Sequence, residues 1–417
     1  MQNKQSLFLR SQIPKNWQKV KLGEIAVVNM GQSPKSEFYN LQGEGLPFYQ
    51  GVTDFGEKYP SASMYCSQPI RIAEPGTALF SVRAPVGEVN IVNEESCIGR
   101  GVASISMKNG NNAFLYPLLK SKTQYFKAVS GGTTYESINK DQIEDMEFEV
   151  PIDPENQKQI SSILSSFDDK IEVNNKIAKT LEEMAQAIFK EWFVHFKFPG
   201  YKKVEFVDSK LGKIPKGWLV KKIKDIATII KGISYSSEEI KDNSVGLPMI
   251  NLANFKRGGG FNPDGIKFYT GRYKTTDLVK PGDIVIAMTD LTSNREVIGH
   301  PARIPSYSHW DKMLISLDVC AVGTEELYIE FLYYLMIRKE FSYLMASSAG
   351  GTNVAHLSKS VIEGYSFILP ERNLILEFQD FIKPIFNQIN KAELENQKLA
   401  ALRDLLLPKL MKGEVRV

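Results

Sequence analysis

Residues 155–195 read ENQKQISSILSSFDDKIEVNNKIAKTLEEMAQAIFKEWFVH. Steps of three and four along this stretch give Ile160, Leu164, Phe167, Ile171, Asn174, Ala178, Leu181, Ala185, Ile188 and Trp192. Two such positions per heptad make a narrow seam, the pattern of a coiled coil rather than the wider stripe of a globular surface helix. A helix of roughly 40 residues extends about 60 Å, more than the core of one small domain covers. Such a helix needs a partner, and the same rhythm returns late in the chain as Phe378, Ile382, Ile385, Ile389, Ala392, Asn396, Leu399, Leu402, Leu406 and Leu410. A shift of 218 residues brings Ile171 onto Ile389, Leu181 onto Leu399 and Ile188 onto Leu406. Two matched seams in one chain predict a paired strut, with Asn174 and Asn396 as polar positions that set its register.

The helices are the last part of a longer repeat. Ile13-Pro14-Lys15-Asn16-Trp17 recurs as Ile214-Pro215-Lys216-Gly217-Trp218, an offset of 201 residues, and Gly45-Leu46-Pro47 recurs as Gly246-Leu247-Pro248. Pro75-Gly76 and Pro281-Gly282 each precede an apolar strand, 78–82 and 284–288. Gly131-Gly132-Thr133 returns as Gly350-Gly351-Thr352. A period near 200 residues marks a duplicated module rather than a short-repeat solenoid. Within each module, short strands punctuated by Gly and Pro fill residues 17–107 and 218–322. Helices are predicted at 114–129 and 326–347, then a strand ending in Pro at 146–150 and 365–369, then the long helix. Phe198-Pro199-Gly200 is expected to break the first long helix, and 201–213 to form a short basic connection.

At 417 residues the chain is long enough for two or three domains, and its 43% hydrophobic share can fill a core in each. The opening MQNKQSLFLRSQIPKNW lacks the apolar core of a signal peptide, and no run approaches eighteen apolar residues. Cys66, Cys97 and Cys320 have neither paired nor metal-like spacing and read as small buried residues. A cytoplasmic location without membrane contact is expected. The net charge of +3 is almost neutral: residues 1–150 balance, 151–195 are acidic and 196–213 are basic. A stand-alone nucleic-acid binder carries a stronger basic footprint, so any DNA grip here must be local or shared with partner chains.

Four runs carry a resemblance to a known family. They are the loop Gly31-Gln32-Ser33-Pro34, and Pro75-Gly76-Thr77 through Arg83 to Val86-Gly87. The third is Gly131-Gly132-Thr133 through Val150-Pro151 to Glu155-Asn156-Gln157. The fourth is the central run from Trp192 to Trp218, with Leu407-Pro408-Lys409-Leu410-Met411-Lys412-Gly413-Glu414 near the other end. In order and duplication they resemble the specificity subunit of type I restriction-modification enzymes over nearly the whole chain. The second module departs from the pattern at Lys231-Gly232-Ile233-Ser234-Tyr235, which lacks the Ser-Pro, and at Thr289-Asp290, where an Arg83-like residue is expected.

The resemblance implies an α/β (α+β) architecture in which two mixed target-recognition domains alternate with two long helices that pair as an antiparallel coiled coil, related by an internal pseudo-twofold. The divisions are a first recognition domain at 1–153, a central helix at 154–195, a linker at 196–213, a second recognition domain at 214–371 and a last helix at 372–417. Each domain would read one half of a split, asymmetric double-stranded DNA site. Readers on one face of B-DNA sit about one helical turn, roughly 34–36 Å, or a multiple of it apart, so a rigid strut suits the task. The resemblance also implies docking of two methyltransferase subunits on the helices, with restriction translocase-nuclease subunits in the full complex. The seam residues Ile171, Asn174, Leu181, Ile188, Ile389, Asn396, Leu399 and Leu406 are the expected partner-binding positions.

For DNA contact the candidates lie in loops. Gln32 and Ser33 sit in the family loop, with Ser234 at the matching place. Gly132, Thr133 and Thr134, like Gly351, Thr352 and Asn353, suit either a close backbone approach to phosphate or a tight turn. Lys140 and Lys359 each follow a Thr by seven residues and suit phosphate contact or plain solvation. Arg83 suits a guanine edge or a structural ion pair. Tyr49, Gln50 and Asn251 occupy matching loops, where an amide fits adenine or caps the loop. Ser293, Asn294 and Arg295 form a donor-rich loop, and Arg257 begins a basic glycine run. Trp17 and Trp218 read as core anchors.

No pattern of catalysis appears. There is no Gly-x-x-x-x-Gly-Lys-Ser/Thr phosphate loop, and no Asn/Asp-Pro-Pro-aromatic run such as amino-methyltransferases carry. His195, His300, His309 and His356 lack metal-ligand spacing. The chain is expected to be non-catalytic, with no metal and no cofactor of its own. The alternatives are a fused nuclease or methyltransferase, or a coiled-coil adaptor that binds no DNA.

Overall fold

One strand pair ties the start of the first module to its end. Trp17–Lys21 runs antiparallel to Glu147–Pro151, so the chain leaves the module beside the point where it entered and turns at once into the helix Pro154–Phe189. In the second module Leu219–Lys222 pairs with Ser366–Leu369 before the helix Arg372–Leu410. These relations come from a computed structural model describing residues 14–123, 137–241, 245–292, 294–351 and 354–417. The chain forms two compact units, one of residues up to Ile171 together with Lys398–Val417, the other of Glu172–Gln397. Each unit thus includes a length of both long helices.

Among the described residues each module holds a four-stranded and a five-stranded sheet beside its closing strand pair, and their strand orders match between modules. In the first, Ala26–Met30, Val102–Met107, Ala78–Ser81 and Val89–Ile91 lie side by side in an antiparallel sheet. The second module repeats it with Ala227–Lys231, Val319–Thr324, Ile284–Ala287 and Pro301–Arg303. The other sheet has five short strands in both modules. It contains one parallel pair, Leu46–Tyr49 with Ser96–Ile98, or Leu247–Ile250 with Met313–Ile315. The central strands Ala78–Ser81 and Ile284–Ala287 are buried on both faces, which is why they read as continuous apolar runs without alternation. Trp17 and Trp218 are core residues, and all three cysteines are buried. Burial pushes the Cys97 and Cys320 thiols up to about 12.

The helix seams pack as their spacing predicts within each unit. In the first unit Ile160 and Leu164 share a core with Leu410 and Met411, and Arg403 Nη1 donates to Asp168 Oδ1 at 2.7 Å. Burying a leucine of this kind contributes about 2 kcal/mol. In the second unit Phe189 packs edge-on and Trp192 at a tilt against Phe378, with centroids 5.8 and 6.0 Å apart, while Asn174 meets Asn396. Rising numbers on one helix meet falling numbers on the other, so the pairing is antiparallel. Asn174 is 3% exposed; its Nδ2 donates to Asn396 Oδ1 at 2.9 Å and Glu395 Oε2 at 2.8 Å, and Asn396 returns a bond to Asn175 Oδ1. A buried amide matched to a half-buried one locks one register, because a slip would leave the Asn174 amide buried and unpaired.

Several elements depart from expectation. The central helix ends before Pro199. A π turn at Lys190–Val194, closed by His195 N–H to Lys190 O, is followed by Phe196 in the left-handed region, and these stop the helix first. Residues 201–213 are not a bare connection: Phe206–Ser209 and Gly212–Pro215 form a hairpin. The helix expected at 326–347 is a 3-10 turn at Glu326–Tyr328 and two helices, Ile329–Met336 and Lys339–Ser348. That expected at 114–129 is Asn112–Lys120, and residues 124–136 lie outside the described part. Leu402 is 48% exposed, so the late seam runs through Arg403 there instead. We expect Asn174→Ala to lower the stability of the full chain by about 1–3 kcal/mol, since it strips partners from Asn396 and Glu395. Chemical denaturation reads this, and an unchanged midpoint would remove the amide pair from the account of register.

Candidate nucleic-acid interface

Five stretches far apart in the first module's sequence meet at one end of its sheets. The strand pair Ala78–Ser81 with Val102–Met107 has Ser81 opposite Val102, and Val82 N–H extends the ladder by donating to Gly101 O at 2.9 Å. Arg83 and Arg100 are therefore next on the two strands, and both are exposed. Neither has a carboxylate within ion-pair distance among the described residues. The turn carrying Arg83 includes a cis Ala84–Pro85 peptide and is held by Ser81, whose hydroxyl donates to Pro85 O and accepts from Glu88 N–H. Gln32 N–H donates to Ile98 O, and Ser33 Oγ accepts from Arg100 N–H at 3.2 Å, which seats the Gly31–Pro34 loop against the arginine loop. A side chain at Gly31 would collide with Gly99 O, so only glycine allows this approach. Exposed Gln50 follows Tyr49, whose carbonyl accepts from Gly99 N–H. Ile138 N–H donates to Val82 O, so the segment that follows the Gly-Gly-Thr run returns to this end.

The second module repeats the framework with different tips. Met288 N–H donates to Asp318 O at 2.8 Å, one rung beyond Ala287 opposite Val319, and Leu357 N–H donates to Met288 O. Thr289 and Leu317 hold the positions of Arg83 and Arg100. Thr289 is buried and donates to Asp318 Oδ1, while Leu317 is 54% exposed. A side chain at Gly232 would strike Ser316 O, and Ser234 beyond it is exposed. Asp290 organises the next loop by accepting from Thr292, Val297 and Ile298 N–H at 2.7, 2.6 and 2.9 Å. Burial pushes its carboxyl up, but these bonds outweigh burial and hold it below the usual carboxylate range. On that loop Asn294 is exposed; Arg295 has a left-handed backbone and donates through Nη1 to Ala346 O at 2.7 Å. Arg257 is exposed and paired with Glu296 at 3.3 Å, and Gly258 N–H donates to Glu296 O, so the basic glycine run lies beside the loop.

Some expected contacts are structural instead. Tyr49 is 1% exposed in the core, with its phenol pushed up to about 12 by burial, so its ring does not reach the surface. Asn251 is buried and caps its own loop, donating to Gly265 O and accepting from Ala253 N–H. Lys140 and Lys359 each begin a short helix and pair with the glutamate four residues on, at 3.5 and 3.2 Å, while their ammonium groups stay partly open to water. Gly351 has φ +111, a turn position that favours glycine. Gly132, Thr133, Thr134, Ser293, Thr352 and Asn353 lie outside the described residues. The seam positions face inward: Ile171 and Asn174 are buried, Ile188 and Ile389 pack on the second unit's core, Leu406 packs on the first unit's core, and Leu181, Asn396 and Leu399 are half-buried. They serve the chain's own helix pairing rather than a free surface. Arg100 was missed by motif reading, although Gly99-Arg100-Gly101 between two apolar strands marks an exposed turn tip.

Comparison with known proteins fits this duplicated frame. The type I restriction modification DNA specificity domain matches twice, over residues 14–183 and 215–403. The type I restriction enzyme MjaIX specificity subunit of Methanocaldococcus jannaschii is 29% identical over 421 residues, covering 97% of this chain and 95% of that protein. The HindI specificity subunit of Haemophilus influenzae is 25% identical over 364 residues, covering 72% and 77%. The crystal structure of a type I restriction-modification S subunit from M. genitalium shares the fold, with a TM-score of 0.56 at 16% identity over 97% of this chain and 98% of that one. Two copies of one domain, matched in sequence across most of the chain and in strand order throughout, place this protein in the type I restriction-modification DNA specificity family.

Proposed function

We propose that the chain is the DNA sequence-specificity subunit of a type I restriction-modification complex, each module reading one half of a bipartite, asymmetric site. The carrying observation is that separate loops converge at the same end of the same sheet framework in both modules, with exposed side chains that differ between them. A shared frame with divergent tips suits two half-sites of different sequence. The long helices set the spacing between half-sites and dock two methyltransferase subunits. Because the seams are consumed by helix pairing, docking falls to outward positions such as Val173, Ile177, Met184 and Phe381, which are 46–55% exposed. The chain itself is non-catalytic and works in the cytoplasm; methyl transfer and ATP-driven cleavage belong to partner subunits. Among the described residues, no helix is long and apolar enough to cross a membrane.

The near-neutral charge fits shared phosphate binding within a complex better than a grip by this chain alone. Exchanging residues 1–153 for the first module of another family member should change one half of the modified sequence and leave the other intact. Methylation mapping reads this directly, and a change in both halves would contradict modular reading. Alanine at Lys140 should weaken binding to all sequences alike and lower the salt slope by about one unit. A titration over salt concentration tests it; a loss confined to certain sequences would make Lys140 a base reader.

A further inference from the structure

We infer that one shared rung gives the two modules opposite base chemistry: Arg83 and Arg100 take guanine in one half-site, and Leu317 takes the methyl group of thymine in the other. This rests on reading the modules as DNA readers. The internal repeat supplies the comparison. Two rungs beyond Ser81 and Val102 the first module has two exposed guanidinium groups; two rungs beyond Ala287 and Val319 the second has a buried threonine and an exposed leucine.

A guanidinium fork matches the O6 and N7 acceptors that guanine alone presents side by side in the major groove. It also matches phosphate, so an arginine by itself does not decide between base and backbone. The second module decides it. Leucine has nothing to offer a phosphate, yet Leu317 is 54% exposed at the position equivalent to Arg100, and Leu291, two residues after Thr289 in the chain, is 73% exposed. The apolar feature of the major groove is the thymine methyl. Both modules build this rung on the same strands at the same end, so a base-facing rung in one is base-facing in the other. Ser33 and the tightly packed Gly31 approach hold the Arg100 loop from the side, which limits the freedom that recognition would otherwise have to remove.

The test uses the full chain bound to the methyltransferase subunits made with it, incubated with a randomised duplex pool whose retained members are sequenced. A split motif is expected, with a guanine in one half and a thymine in the other. Replacing that guanine by 7-deazaguanine, which lacks the N7 acceptor, should weaken retention about tenfold or more, and Arg100→Ala should abolish this sensitivity without touching the other half. Replacing the thymine by uracil should weaken retention about threefold, an effect lost in Leu317→Ala. Arg100→Lys keeps the charge without the fork, so it should retain the salt dependence and lose the guanine preference. The inference is overturned if a motif is enriched but Arg83→Ala and Arg100→Ala weaken every sequence alike with a shallower salt slope, or if uracil is fully tolerated. If the wild-type complex enriches no split motif, the DNA-reading function itself falls, and the inference falls with it.

Discussion

A helix with only two apolar positions per heptad cannot satisfy itself, and the fold is arranged around that deficit. The stripe on Pro154–Phe189 is too narrow to lie on a broad domain core along its whole length and too apolar to leave in water. Its complement lies on Arg372–Leu410, and the contacts between them are antiparallel in each unit. Each helix follows a strand that pairs with the beginning of its own module, so the recognition framework and the helix are joined without slack. The amides of Asn174 and Asn396 then choose one register among those that apolar contacts alone would allow.

The modules show a division between frame and tip. The frame is buried strand and ladder hydrogen bond, and it is the same in both copies down to the rung at Val82 and Met288. The tips are mostly open to water, and it is there that the two copies differ. Arg100 and Leu317 show how far: the same backbone position is cationic in one copy and apolar in the other. The turns that follow are held differently: the Asp290 carboxylate accepts three backbone N–H groups in the second copy, while the Ser81 hydroxyl holds the turn in the first. Family membership follows from the duplicated frame and its sequence match, and the proposed base readers lie in the tips.

Much of the frame was legible from residues. Period-3.5 spacing, an offset near 200 residues and apolar runs after Pro-Gly are one-dimensional signals of helix pairing, duplication and central strands. The breaks were less legible. A π turn and a left-handed Phe196 end the central helix, and neither has a sequence signature as strong as the proline that was expected to do it. Leu402 fits the heptad rhythm yet faces water, because Arg403 reaches Asp168 from the neighbouring position.

The candidate interface divided along the same line. Residue type alone favoured tyrosine and asparagine at 49 and 251, but Tyr49 fills a core and Asn251 caps its own turn. Gln32, Gln50 and Arg83 remained exposed, and Arg100 joined them only through a ladder linking strands about twenty residues apart. A duplicated module with paired long helices can be read from the residues alone, since periodicity and repetition are properties of a line. Which loop side chains stand together at one end of a module was decided by the tertiary structure alone, because adjacency across strands depends on register, and register is set by packing between distant segments.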